Sequence, residues 1–258
     1  MNILELLNKK VSEYNNPKFI ESDPISIPHQ FKNQKDIEIS GYLTSIISWG
    51  RRAAILNSAN KLMKIMDHKP YDFIMNAGKS ELKGIDNFVY RTFNADDCYF
   101  ALEAMKNLYV KYDSMEVLAN ELFKENNDIK DVIIGIRKEL LSTEHLKRSQ
   151  KHFANPETGS AAKRTNMFLR WMIRQDNKGV DFGLWKNIPA SALMIPLDVH
   201  SGNTARALGL LERKQNDWRA VEELSKRLKE YDKNDPVKYD FALFGIGVFE
   251  GKIFDTNY

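Results

Sequence analysis

The sequence predicts an all-α protein in two lobes, and three observations point there. Apolar residues recur at steps of three and four nearly throughout, as a single buried helix face requires. Period-two alternation over strand length is rare. Cap residues and prolines stand where the periodic runs begin. Taken in order, residues 2–14 read as an N-terminal helix. Residues 21–28 read as extended, because Pro24 and Pro28 block a helix there. Residues 41–141 read as a central helical bundle, with Leu102, Met105, Leu108, Tyr109 and Tyr112 on one face and Val132, Ile133, Ile136 and Leu140 on another. A basic stretch, 145–152, precedes a turn at Gly159 and a helix carrying Lys163, Arg164, Arg170 and Arg174. Residues 175–197 are irregular, punctuated by Gly179, Gly183, Pro189 and Pro196. Asp198 caps a helix running from Val199 through Arg206, and Asp217 caps one bearing Trp218, Val221, Leu224 and Leu228. Asp235-Pro236 reads as a cap and first-turn proline opening the helix Tyr239–Phe249.

Composition narrows the functional classes. At 258 residues the chain is long enough to bury a sizeable core. Its 43% hydrophobic and 28% charged residues are those of an ordinary soluble globular protein. No apolar run reaches a membrane span and no secretory signal is visible, so no membrane partner is expected. Cys98 is the single cysteine, which excludes an internal disulfide and a four-cysteine zinc or iron–sulfur site, and suggests a reducing, cytoplasmic setting. The five histidines show no ligand spacing, so no metal and no cofactor is expected. With a net charge of only +3, a nucleic-acid surface has to come from local clustering.

That clustering lies at Lys147, Arg148 and Lys151, followed by Gly159, Ser160, Lys163, Arg164, Arg170 and Arg174. A helix, a Gly-led turn and a second helix hold a phosphate well, because the turn and the free N–H groups of the second helix point at the anion. Lys163, Met167, Arg170 and Arg174 share one helical face, and Phe168, Trp171 and Met172 can pack inward. Two residues carry chemistry. A neutral lysine amine in a closed pocket is a nucleophile for a sugar C1′ and gives a Schiff base. Asp198, held as an N-cap, is a fixed anion suited to the charge that develops on the sugar as a base departs, or to relaying a proton. Each residue alone has a plain structural reading, a surface lysine and a helix cap. Asp240, inside the apolar C-terminal helix, is either pocket-facing or a buried, paired acid.

Together, Gly159–Lys163, Phe168-Leu169-Arg170 and Leu197-Asp198-Val199-His200 resemble the helix-hairpin-helix DNA glycosylase superfamily, in particular its 8-oxoguanine branch. The chain is more similar still to a bacterial family of that type for which no activity is carried over. Residues 43–51 and 57–62 look like that superfamily's early helix, loop and helix at the DNA interface. The resemblance implies a central bundle over 36–174 ending in the hairpin, and a second lobe from 1–35 with 175–258. It implies that a monomer binds double-stranded DNA through Gly159, Ser160, Arg164, Lys147, Arg148, Lys151, Arg170, His200 and Arg51. Lys163 and Asp198 would be catalytic, and Trp49, Trp171, Trp185 and Phe249 would wall the pocket for a flipped base, with Phe244 a further candidate. One glycine stands in the hairpin where two are usual. The superfamily's wedge residue is absent after Ser48, so Trp49, Arg51 or Arg52 would have to fill the gap left by the base. The expected activity is excision of a damaged purine such as 8-oxoguanine, with or without nicking of the abasic strand. The alternative is a non-catalytic nucleic-acid-binding protein on the same fold.

Overall fold

The computed structural model describes residues 2–250, and they form an all-α protein. The α-helices are α1 (Ile3–Tyr14), α2 (Lys18–Ser22), α3 (Gln34–Ile47), α4 (Arg52–Ile65), α5 (Pro70–Asn76), α6 (Lys79–Leu82), α7 (Ala95–Tyr112), α8 (Met115–Asn126), α9 (Ile129–Leu140), α10 (Lys163–Ile173), α11 (Val199–Ala207), α12 (Trp218–Tyr231) and α13 (Tyr239–Phe249). Among the described residues, extended pairing is limited to two isolated bridges, Tyr90 with Phe93 and Ser160 with Asp217. None of the helices is long and apolar enough to cross a membrane.

The chain divides into two compact units, one of residues 20–155 and one of residues 1–19 with 156–258. This corrects the expected boundaries at 35/36 and 174/175. The basic helix α10 belongs with the terminal segments, because its side chains pair with Asp181, Asp235 and Asp240. Periodicity identifies helices but not their partners. Residues 21–28 are also corrected, from extended to helical. Pro24 and Pro28 open successive 3₁₀ turns, where a missing N–H costs nothing, and Asp23 caps the first by accepting from Ile25 N.

In the 20–155 unit, α3 is buried from Ile37 to Ile47, with Glu38, Ser40, Thr44 and Ser45 among its apolar residues. Glu38 inside it accepts from the Tyr109 hydroxyl at 2.7 Å and from Met115 N at the start of α8 at 3.1 Å, so the buried carboxylate is hydrogen-bonded. Side-chain caps begin α7 at Asn94, α8 at Ser114 and α9 at Asp128.

In the terminal unit α10 is the buried helix, with Thr165 to Ile173 all inside. Residues 175–197 fold back over its end. Phe182 N donates to Trp171 O at 2.8 Å and Trp185 N to Met172 O at 3.0 Å, while the Trp185 ring meets Phe168 edge-on. The terminal helices meet: a Cβ at Gly245 of α13 would lie 2.1 Å from the Tyr14 ring, so only glycine lets α1 approach this closely. Lys10 pairs with Glu250 at 2.7 Å, the Tyr14 hydroxyl also donates to Glu250, and Tyr14 stacks on Phe249. On its other side α13 packs on α11 at Gly247, where a Cβ would come within 2.9 Å of His200 O.

Candidate active site

The expected nucleophile opens α10. The chain reaches it through Gly159, at φ +89°, and Ala162, at φ +46°, a left-handed conformation that an L-residue adopts at a cost of about 1–2 kcal/mol. Hydrogen bonds hold this turn: Trp218 N to Gly159 O at 3.0 Å, Ala162 N to Ser160 Oγ at 3.2 Å, and the Asn166 side-chain amide to Ala161 O at 3.1 Å. Asn166 is 1% exposed and its Oδ1 has no hydrogen-bond partner, so an unsatisfied acceptor sits one turn from Lys163. Lys163 is half-buried. Its Nζ lies along α10 and donates to Met167 Sδ at 3.3 Å, a weak acceptor. Among the described residues it makes no ion pair within 4.0 Å.

Asp198 is the N-cap of α11, as expected. Its Oδ1 accepts from Ser201 N at 2.9 Å, and Ser201 Oγ accepts from Asp198 N at 3.0 Å, a reciprocal capping box. Asn216, held by Arg206 at 2.7 Å, donates to the Asp198 carbonyl at 3.0 Å and fixes this corner from below. The carboxylate is therefore rigid and half-exposed.

Asp240 supplies the link between these two. It is buried on the first turn of α13 and accepts from Arg170 Nη1 on α10. Burial pushes its carboxyl up to about 6 from an ordinary 3.8; Arg170 pulls the other way, the Asp198 carboxylate adds to the rise, and Lys163 opposes it. Helices α10 and α11 thus each contribute a charged group that acts on the buried Asp240 of α13. The sequence left Asp240 open between a pocket-facing and a paired acid; it is buried and paired.

Several expected DNA contacts are corrected. Arg170 is 3% exposed, donates to Asp181 at 3.2 Å as well as to Asp240, and covers Phe241 at 4.5 Å, so it is an interior cation that does not face solvent. Arg174 is likewise interior, with Asp181 at 2.9 Å, Asp235 at 3.0 Å and Asp176 at 2.8 Å. Burial disfavours its charge, yet the Asp181 and Asp235 carboxylates overcome that and hold its value above the ordinary one. Asp235 caps no helix with its side chain, because Arg174 occupies its carboxylate. Trp171 and Trp185 are fully buried packing groups, so neither offers a face for stacking a base.

The first arm of the expected hairpin is a 3₁₀ helix, Lys147–His152, in the 20–155 unit. Asp97, buried at the start of α7, pins it: Ser149 Oγ donates at 2.6 Å, Arg148 Nη1 at 3.0 Å, and His152 lies 3.3 Å away. Arg148 also donates to Asn94 and to Thr92 O, so its first duty is structural. Lys147, Lys151 and Arg51 are exposed on that unit, while Gly159, Ser160 and Arg164 lie at the start of α10 in the other. His200 is exposed on α11 beside Phe244, and Phe249 is 54% exposed against Tyr14. Trp49 is half-buried under Arg91, a residue the sequence reading did not single out. The guanidinium sits 4.3 Å over the indole, and Tyr90 donates to the Trp49 carbonyl. Among the described residues, no group of three His, Cys, Asp or Glu side chains is placed to hold a metal ion.

The described residues thus form an all-helical protein in which Lys163 opens α10 and Asp198 caps α11. Residues 23–249 match the family described as "Protein of unknown function (DUF2400)", and the chain belongs to that family. No curated protein and no solved structure matches it.

Proposed function

We propose that this chain is a DNA base-excision enzyme that removes a damaged purine, such as 8-oxoguanine, with Lys163 as nucleophile and Asp198 as the supporting anion. The reading rests on one observation. Lys163 lacks an ion-pair partner among the described residues, while its charge and that of Asp198 both act on the buried Asp240 carboxyl. An ordinary surface lysine needs neither the buried acid nor the rigid cap. In the reaction, the amine attacks C1′, the base leaves, and the Asp198 carboxylate offsets the positive charge on the sugar. Ring opening gives a Schiff base to Lys163, from which the 3′ phosphate can be eliminated. The chain acts as a monomer on double-stranded DNA, with the exposed Lys147, Lys151 and Arg51 meeting phosphates and no cofactor required. The sequence resemblance of Gly159–Lys163 and Leu197–His200 to helix-hairpin-helix glycosylases supports the choice of this pair.

Borohydride trapping on duplexes carrying 8-oxoguanine, uracil or an abasic site tests this. A covalent protein–DNA adduct is expected with the wild type and none with Lys163→Gln. An adduct that persists in Lys163→Gln, or no adduct on any duplex, ends the assignment.

A further inference from the structure

We infer that Trp49 and Arg91, in the 20–155 unit, form a stacking platform for an unpaired base of a single-stranded nucleic acid. The inference goes beyond base excision. It uses neither Lys163 nor Asp198 and stands or falls without them.

Two unusual backbone positions build the platform. Tyr90 and Phe93 exchange backbone hydrogen bonds, Tyr90 N to Phe93 O at 2.7 Å and Phe93 N to Tyr90 O at 2.9 Å, so Arg91 and Thr92 form the tip of a tight turn. Arg91 sits there at φ +56°, a left-handed conformation that a residue with a Cβ adopts only at a cost. Phe88 and Phe93, both buried, meet edge-on and anchor the turn, and Arg148 Nη2 donates to Thr92 O at 2.9 Å. The turn is therefore held firmly. It delivers the Arg91 guanidinium to Trp49, 4.3 Å from the centre of the indole ring. Gly50 lies against the same guanidinium at φ +105°, and a Cβ there would come 2.3 Å from Arg91 Nη1. Only glycine admits so close an approach. The Tyr90 hydroxyl donates to the Trp49 carbonyl and ties the two segments together.

What this arrangement leaves to solvent decides the ligand. Arg91 is exposed and Trp49 half-buried, so the indole covers one face of the guanidinium and the other face is open. Nη1 is turned onto Gly50, so the forked edge that grips a carboxylate is partly occupied while the flat face is free. A flat cation backed by an indole suits a flat, polarisable group, and nucleobases stack on guanidinium planes. The Trp49 N–H is buried without a hydrogen-bond partner, so this position uses the tryptophan for its ring face. In a duplex each base is covered by its neighbours, so the base that stacks here is an unpaired one. The flanks suit its phosphates. Arg51 follows Gly50, and Lys61 donates to Asn87 O at 3.1 Å where the chain enters the turn. Among the described residues, Arg51, Lys61 and Arg91 make no ion pair, so their charge is available to an anion. Val89, 61% exposed two residues before Arg91, adds an apolar edge.

The test uses the full chain and two labelled strands of equal length and equal phosphate count, followed by fluorescence anisotropy. One is oligothymidylate and the other is built of tetrahydrofuran abasic residues, which carry no bases. The wild type should bind the base-bearing strand about 10-fold more tightly than the baseless one. Arg91→Lys keeps the charge and loses the plane, so it should bind the baseless strand like the wild type and lose the preference. The preference is a ratio measured on one protein, and a partly unfolded variant, which loses affinity for both strands, does not imitate that pattern. Lys163→Gln should keep the wild-type preference. Equal affinity for the two strands in the wild type, binding to neither, or a preference that survives in Arg91→Lys overturns the inference. So does a preference lost in Lys163→Gln, which would put the bases at Lys163. A polyglutamate peptide held more tightly than either strand overturns it in favour of an acidic partner. A strand preference that depends on Arg91, found together with no borohydride adduct on any duplex, ends the base-excision reading and upholds the platform.

Discussion

Replacing Asp240 with asparagine isolates what the buried acid does to stability. Its carboxyl stands at about 6 in the fold against an ordinary 3.8, mainly through burial. That difference of roughly two units corresponds to about 3 kcal/mol. Because the folded value is the higher one, the folded protein favours the protonated acid. The favourable contribution is fully present below the unfolded value and is lost as pH rises through about 6. Asparagine keeps the shape and has no proton to lose. The stability of Asp240→Asn minus that of the wild type should therefore rise by about 2.4 kcal/mol between pH 4 and pH 7.5, the rest of the difference lying below pH 4. Taking the difference removes groups that act alike in both proteins, such as Asp97 and Asp176, whose carboxyls are held below the ordinary value and whose contributions fade as pH falls. Urea unfolding at four pH values, followed by tryptophan fluorescence, supplies the numbers. Three of the four tryptophans, Trp171, Trp185 and Trp218, lie in the same unit as Asp240, and a Trp49→Phe background makes the signal specific to it. A flat difference, or one that falls with pH, would refute the reasoning and mean that the Arg170 pairing outweighs burial.

Other substitutions probe the remaining parts. Arg170→Ala leaves Asp181 and Asp240 facing each other without their shared cation, and chemical denaturation should report a loss of about 3–5 kcal/mol; a loss under 1 kcal/mol would mean the pairs contribute little. Gly245→Ala drives a methyl into the Tyr14 ring, so the melting curve should show a loss of about 1–3 kcal/mol, and the accessibility of α1 to protease should rise. Asp198→Asn keeps a good N-cap, so thermal unfolding should move by less than about 1 kcal/mol. Base release, by contrast, should fall at least 100-fold in the same variant (order of magnitude,); unchanged release would leave Asp198 as a cap alone.

Much of the helical layout was readable from periodicity and caps. The helix Tyr239–Phe249 and the caps at Asp198 and Asp217 are where the pattern placed them. What could not be read was the fate of charged residues on α10. Arg170 and Arg174 fall on a face that periodicity alone assigns to solvent, yet their neutralising partners, Asp176, Asp181, Asp235 and Asp240, are scattered through an irregular stretch and a distant helix. Such pairings leave no periodic trace. A signal was nevertheless present. Met167, Phe168 and Leu169 precede Arg170, and Trp171, Met172 and Ile173 follow it. A helix apolar all round is an interior helix, and an arginine inside it must be paired. The site itself was half legible: Lys163 and Asp198 announced themselves as helix-mouth residues, but Asp240 acquires its meaning only when α13 is laid against α10.

The meeting of α1 with α13 also imposes an order on synthesis. Residues 20–155 form a continuous stretch, so that unit can fold as soon as it clears the ribosome. Helix α1 is made earlier still, but the glycine that admits Tyr14 and the glutamate that takes Lys10 are at 245 and 250. At about 5–20 residues per second, α1 waits roughly 10–50 s for its partner. During that wait its apolar stripe, including Leu7, which ends fully buried, has nothing of its own chain to cover it. The capping box at Asn2 and Glu5 favours the helical form of this segment over that interval, although a lone helix of 12 residues is only marginally stable in water.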